Sequence, residues 1–280
     1  MFLTGRHFGG YEIEQILYSN KSKTTVVFQS TLQSGEKVAI KCLSMKHFPK
    51  QIKNESVIFE SFQNNDKLIK CMKTFRKGKY FCFVLQYAEN GDLFDYINQN
   101  KKMPEQLVKK IMHDVLKAVE DLHSKKYCHQ DIKLENIFLL NDGTKAVLGD
   151  FGSTEIMNEG EKSSSILGSL FYLAPEILIS RKHDKSADMW ALGVTLFILL
   201  TGEFPFVGKN VNQLIEDING QITQKKSFLF QGLKTVSNEA KNLITSMLQI
   251  DPEKRITPSE ALKSNWFNYK IDLKYHVVNK

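Results

Sequence analysis

No apolar run in this sequence is long enough to cross a bilayer. The longest, Met189 to Leu200, ends after 12 residues, where a membrane helix takes about 20. Cysteine is scarce: Cys42, Cys71, Cys82 and Cys128 stand far apart and show no metal-ligand spacing. Each has apolar or aromatic neighbours in sequence, so all four read as small buried thiols. A basic stripe is lacking as well. The 38 Lys and Arg against 31 Asp and Glu give a net charge of +7, but the lysines are scattered over the whole length. That pattern argues against a nucleic-acid partner and leaves only a mild attraction to acidic surfaces. No secretory leader is recognisable. The expectation is a soluble monomer with no membrane partner, in the cytoplasm, with the nucleus also open.

What is present is a globular composition, 42% hydrophobic and 25% charged. A chain of 280 residues holds one large domain or two modest lobes. The densest chemistry lies in His129-Gln130-Asp131-Ile132-Lys133-Leu134-Glu135-Asn136, where a candidate base, a cation and a metal ligand fall within eight residues. Ile137 to Leu140 then reads as a strand, Asn141-Asp142-Gly143 as its turn, and Lys145 to Leu148 as the returning strand. Asp150-Phe151-Gly152 follows. A hairpin brings its two ends together, so Asn136 and Asp150 are expected to face one another, with Asp131 and Lys133 close by. Two oxygen ligands beside a carboxylate and an ammonium are what a magnesium–phosphate site needs. Taken singly, an Asp-Gly pair is usually a turn and a lone Lys is usually solvated; the order and separation of the two motifs carry the argument.

These motifs resemble the catalytic loop and the metal-binding loop of eukaryotic protein kinases, and the likeness runs from about Tyr11 to Phe267. It implies an α+β, bilobal fold: a strand-rich N-lobe over about 11–87, a helical C-lobe over about 88–267, and short tails at 1–10 and 268–280. ATP would lie between the lobes, with Mg²⁺ held by Asn136 and Asp150. Asp131 would accept or orient the proton of the acceptor hydroxyl, and Lys133 would neutralise charge on the transferring phosphoryl group. Val38-Ala39-Ile40-Lys41 matches the strand whose lysine pairs with the phosphates. Its partner belongs on a helix spanning Ile52 to Phe62. Glu55 has Ile58, Phe59 and Phe62 at helical spacing after it; Glu60 is the competing residue. The resemblance puts Val26, Ala39, Leu85 and Phe138 around the adenine, Leu85 at its back, and assigns adenine hydrogen bonds to the backbone of Gln86 and Ala88.

One absence cuts against the likeness. The family covers its nucleotide with Gly-x-Gly-x-x-Gly-x-Val, so that backbone amides approach the phosphates. Residues 17–27 contain no glycine. With Val26 as the final valine, the glycine positions become Ser19, Lys21 and Thr24, in a register open by one residue. Thr24 is the least suited to a turn. Three outcomes stand: the loop holds off the phosphates, Lys21 or Lys23 replaces the amide contacts with charge, or nucleotide binding is lost. Active kinase is the leading reading. A pseudokinase scaffold is the alternative, though it does not need Lys41, Asp131, Lys133, Asn136 and Asp150 all intact. A small-molecule phosphotransferase would have no use for Ala174-Pro175-Glu176.

Further positions follow from the resemblance. Pro104 opens a long helix with a buried stripe of Leu107, Val108, Ile111, Met112, Val115, Leu116, Val119 and Leu122. Asp188 would hold the catalytic-loop backbone, and Arg255 would pair with Glu176. Gln130 stands where the family's phosphate-clamping arginine does, which argues against strict control through phosphorylation of Ser163, Ser164 or Ser165. Ser169 takes the place of a Thr that bridges Asp131 and Lys133. Lys133, two residues after Asp131, is the serine/threonine-kinase form, so the partner is a protein with a Ser or Thr acceptor. Asp92 and Glu135 fall where a basic residue upstream of the acceptor would bind. Asp92 to Ile97 and Trp190 to Phe206 look most like the calcium/calmodulin-dependent branch.

Overall fold

The structure, a computed structural model, describes residues 7–158, 160–164, 169–223 and 233–268. The chain divides into two compact units, Met1–Glu89 with Gly149–Gly152, and Asn90–Leu148 with Ser153–Lys280.

The first unit is built on strands β1 (His7–Phe8), β2 (Tyr11–Glu12), β3 (Gln15–Ser19), β4 (Thr25–Thr31) and β5 (Lys37–Ser44), helix α1 (Pro49–Ser61), and strands β6 (Cys71–Lys77) and β7 (Tyr80–Gln86). Five of the strands form one antiparallel sheet in the order β3-β4-β5-β7-β6. Directly opposed residues share a face, and faces alternate along a strand. Val26, Phe28, Val38, Ile40, Cys42, Cys82 and Val84 therefore make one buried layer. The opposite face carries Val27, Ala39, Lys41 and Leu85.

The segment read as an N-terminal tail closes the buried layer. Gly9 and Gly10, at φ 63° and 90°, turn β1 back on β2, a conformation that side chains disfavour. Phe8 then meets Phe28 and Tyr80 edge-on, and Tyr11 stacks on Phe75 at 5.4 Å. Residues 7–10 thus belong to the first unit. Residues 1–6 and 269–280 lie outside the described ones.

The second unit carries helices α2 (Leu93–Asn100) and α3 (Glu105–Ser124), strands β8 (Tyr127–Cys128), β9 (Ile137–Leu140), β10 (Lys145–Leu148) and β11 (Glu155–Ile156), and helices α4 (Pro175–Ser180), α5 (Ser186–Thr201), α6 (Val211–Thr223), α7 (Asn238–Met247) and α8 (Pro258–Leu262). Pro104 sits at the cap of α3, and the helix buries Val108, Ile111, Met112, Val115, Leu116, Val119 and Leu122; Leu107 is half-buried. The expected hairpin forms with Ile137 opposite Leu148, and Asn141 and Gly143 supply left-handed turn residues. Helix α5 is buried from Ala187 to Leu200. Its Gly193 admits the side chains of Met247 and Leu248 so closely that a Cβ would fall within 2.9 Å of both. Among the described residues no helix is long and apolar enough to cross a membrane.

Candidate active site

In the first unit, β5 delivers Lys41 to two carboxylates, the buried Glu55 and the part-exposed Asp150. Its Nζ donates to Glu55 Oε1 at 2.6 Å and to Asp150 Oδ1 at 2.9 Å. Glu55 is buried on α1, while Glu60 is exposed; five residues apart on a helix, they point about 140° away from one another. Burial disfavours the Lys41 charge, but the Asp150 and Glu55 carboxylates more than offset it and raise the ammonium's pKa. Lys41 is thus a fixed cation. Asp150 takes a left-handed backbone (φ 59°), a costly conformation for a side chain other than glycine, held here by its surroundings. Phe151 is fully buried and meets Phe59 edge-on at 5.6 Å. Asn54 Nδ2 donates to Gly152 O at 3.0 Å, and a Cβ on Gly152 would collide with Gln51. Ala39 and Leu85 lie opposite one another on the sheet face that carries Lys41.

Val26 does not lie on that face. It opposes Cys42 in the buried layer, and Val27 opposes Lys41. With a side-chain period of two, a one-residue register error moves a residue to the wrong side of the sheet. Val27, not Val26, thus shares the face of Lys41; counted from Val27, the expected glycine positions Ser19, Lys21 and Thr24 would become Asn20, Ser22 and Thr25.

Asn20 organises the loop. Its Oδ1 accepts from the amides of Thr24 at 2.8 Å and Thr25 at 3.2 Å, and its backbone carbonyl accepts from the Lys23 amide at 2.9 Å. Its Nδ2 donates to Thr24 Oγ1 at 2.8 Å. The left-handed residue is Lys23 (φ 53°), and its carbonyl accepts from the Tyr80 hydroxyl at 2.7 Å. Thr24 is buried, whereas Ser19, Lys21 and Lys23 are exposed. Three consecutive amides thus turn inward to one asparagine. Sequence reasoning missed Asn20; the available signal was the readiness of Asn to mimic a backbone turn.

In the second unit, the catalytic-loop side chains meet directly. Lys133 Nζ lies 2.9 Å from Asp131 Oδ2 and 3.1 Å from Oδ1. Asn136 Nδ2 donates to Asp131 O at 2.7 Å and to Oδ2 at 3.1 Å. Asp188 anchors the loop: its carboxylate accepts from the amides of His129 and Gln130, both at 2.9 Å, and pairs with His123 Nε2 at 2.8 Å. Burial works against the Asp188 charge, but the His123 contact and these amides hold the carboxyl below its ordinary range. Phe138 lies on β9, its backbone bridged to Asp92.

Gln130 (φ 66°) reaches two further segments. Its Nε2 donates to Glu155 Oε2 at 3.1 Å, and His183 Nε2 lies 3.3 Å from its Oε1. Ser163 Oγ donates to Glu155 at 3.0 Å, and the Ser163 and His183 backbones exchange hydrogen bonds. Hydrogen bonds to a single carboxylate therefore tie Glu155 and Ser163 to the loop. Ser164 is exposed, and Ser165 and Gly168 lie outside the described residues. Ser169 lines a small cavity with Gln130, Asp131 and His183. Arg255 makes a two-pronged pair with Glu176 (2.8 and 2.9 Å) and also donates to the carbonyls of Ser186 and Gln249.

The protein kinase domain family matches residues 22–267. A protein named probable myosin light chain kinase in Dictyostelium discoideum is 33% identical over 245 residues, covering 86% of this chain and 77% of that protein. Calcium/calmodulin-dependent protein kinase cmkA of Emericella nidulans is 33% identical over 250 residues, 86% of this chain and 58% of the relative. Serine/threonine-protein kinase cds1 of Schizosaccharomyces pombe is 31% identical over 284 aligned positions, 95% and 60%. The chain thus spans a little over half the length of the latter two. It belongs to the protein kinase family, on its serine/threonine side.

Proposed function

We propose that the chain transfers the γ-phosphate of ATP to a Ser or Thr hydroxyl of a protein substrate. The observation that carries this is Asp131, whose carboxylate is gripped by Lys133 and Asn136. A carboxylate held in this way is oriented to take a hydroxyl proton, and Lys133 is a cation beside it for phosphoryl charge. Lys41, charged and fixed by Glu55 and Asp150, would bind the α- and β-phosphates. The backbone of Gln86 and Ala88 would bind adenine, with Ala39, Leu85, Val27 and Phe138 around it.

The donor set fits Mg²⁺. Asn136 uses its Nδ2 on Asp131, which leaves its amide oxygen to serve as a ligand, and Asp150 would supply a carboxylate, both of them donors suited to a hard cation. Bound there, the ion would neutralise the β- and γ-phosphate oxygens. A Ser- and Thr-peptide array with Mg²⁺-ATP tests the assignment: labelled peptides are expected to carry a basic residue upstream of Ser or Thr. Labelling of free sugars or amines with no peptide labelled would overturn it.

The basic preference rests on Asp92 and Glu135. Glu135 Oε2 is buried with no hydrogen-bond partner among the described residues, as expected of an acid that awaits an external cation. Burial first, then Asp95 and Glu135, push the Asp92 carboxyl up to about 6. A carboxyl with a raised pKa is charged above that pH and neutral below it. KM for an Arg-containing peptide is therefore expected to rise about three- to fourfold between pH 7.5 and 5.5, since about a quarter of a carboxyl titrating near 6 is still charged at pH 5.5 and one charge-assisted contact is worth roughly 1.5–3 kcal/mol. Asp92→Asn, which keeps a good helix cap for the Asp95 amide, should make KM high and flat across this range. A pH-independent KM in the unsubstituted protein would sink the assignment.

The loop predicts weak nucleotide binding, because its amides are turned to Asn20. Asn20→Gly releases them and supplies the residue that the family uses. The expected result is a KM for ATP lower by about 3- to 10-fold, the worth of one or two amide hydrogen bonds, with kcat little changed. An unchanged or higher KM would show that the amides do not limit binding.

A further inference from the structure

Strands β5 and β7 run side by side in unbroken register from Val38 opposite Gln86 to Ser44 opposite Tyr80. The Met45 amide donates to Lys79 O at 3.0 Å, one residue beyond Ser44 and one before Tyr80. Ser44 and Tyr80 are therefore a pair that exchanges no backbone hydrogen bonds. Such pairs alternate along an antiparallel ladder, so Cys42 and Cys82, two residues further on, have the same character. In these pairs the Cα atoms approach to about 4.5 Å and the side chains are closest, a spacing within the range of about 4.4–6.8 Å that a disulfide accepts.

The two sulfurs are 2.7 Å apart, well inside the distance that unbonded sulfurs keep. Both residues are fully buried among Val26, Phe28, Ile40 and Val84. The other two thiols differ. Cys71 Sγ donates to Lys73 O at 3.6 Å and Cys128 Sγ to Asp184 O at 3.9 Å; neither sulfur has another cysteine as its partner.

We propose that Cys42 and Cys82 are a modification site: a cross-strand dithiol that closes to a disulfide with a small disulfide, of the oxidised-glutathione class, as oxidant. One thiol, as its thiolate, attacks the small disulfide and expels one small thiol. The second then attacks the mixed disulfide and expels the other. An S–S bond joins the two strands, the oxidant takes up two electrons, and the two protons leave on the two small thiols. The Cys82 contact and burial push the Cys42 thiol far up, so it is a poor nucleophile in the closed sheet. Oxidation accordingly belongs to the open sheet, during folding or local opening, and the closed layer then shields the bond. The bond links the strand of Lys41 to the strand of Leu85, and cross-linking restricts the unfolded chain.

The test is refolding of the full chain from denaturant in glutathione buffers from reducing to oxidising. Recovery of folded protein is checked by circular dichroism, and peptides are mapped after acid quench and alkylation. The expected result is a linked peptide pair containing Cys42 and Cys82, with Cys71 and Cys128 alkylated and a thermal midpoint several degrees above that of the reduced protein. In Cys82→Ser the link is absent and Cys42 is alkylated. Folded protein from the oxidising buffer with both cysteines alkylated, or each carrying glutathione, would overturn the proposal.

Discussion

Replacing Asp131 by Asn is expected to lower kcat for phosphoryl transfer by at least about 100-fold, with KM for ATP within about twofold of the unsubstituted protein. The size follows from the role: a positioned base contributes roughly 10²- to 10⁴-fold. An amide has no basicity to offer an acceptor hydroxyl, but it keeps the shape of the carboxylate. The loop should stay in place, because its main anchors are elsewhere. Asn136 Nδ2 reaches the Asp131 backbone carbonyl, and Asp188 holds the amides of His129 and Gln130. Thermal midpoint and nucleotide binding therefore serve as controls. Retention of more than a tenth of kcat in Asp131→Asn would remove the proton-accepting role from Asp131.

The largest stability effect is expected at Arg255. Its side chain is fully buried, and its guanidinium serves Glu176, Ser186 O and Gln249 O while lying over the Trp190 ring at 5.3 Å. Arg255→Ala leaves the Glu176 carboxylate, 12% exposed, with its cation gone, and it strands two carbonyls. Breaking a buried pair in this way costs about 3–5 kcal/mol. For a unit of this size the thermal midpoint should fall by very roughly 6–20 °C. Removing both partners is expected to cost less than removing one, since no uncompensated charge stays behind. Glu176→Leu with Arg255→Met is the comparison, by calorimetry. Equal losses in the single and double variants would mean that the aromatic contact, not the ion pair, carries the stability.

Much of the site was legible because its residues are neighbours in sequence or follow a strong local period. The hairpin after Asn136 announces itself by Asn141-Asp142-Gly143, whose left-handed positions only a few residue types fill comfortably. Glu55 could be preferred to Glu60 because the apolar residues after it set the buried face of α1. The face of a strand was harder to read. Val26 and Val27 are both apolar, and the choice between them depends on a pairing register that no local pattern fixes. The β1–β2 turn was overlooked for a different reason. Strands of two residues have no period, although Phe8-Gly9-Gly10-Tyr11 carries a hairpin's turn chemistry. Least legible were contacts across long separations. Gln130 could be seen to lack a charge, but its pairing with Glu155 and His183, the latter 53 residues away, depends on tertiary packing.

The same contacts bear on control of the kinase. Glu155 and His183 already hold Gln130, and Ser163 already donates to Glu155. If this is the phosphate-clamp position that the resemblance implies, it holds a neutral amide and a carboxylate where a clamp would need a cation. Under the proposed function the weak element would lie instead in residues 20–25, where Asn20 takes amides that a nucleotide would want.

One measurement decides the central claim: mass-spectrometric detection of phosphoserine in a basic Ser-containing peptide after incubation with the purified chain and Mg²⁺-ATP. Phosphoserine is expected with the unsubstituted protein and is expected to be lost with Asp131→Asn. No phosphopeptide from either, together with no ATP-dependent rise in the thermal midpoint of the unsubstituted protein, would contradict the account and leave a scaffold that keeps the kinase fold.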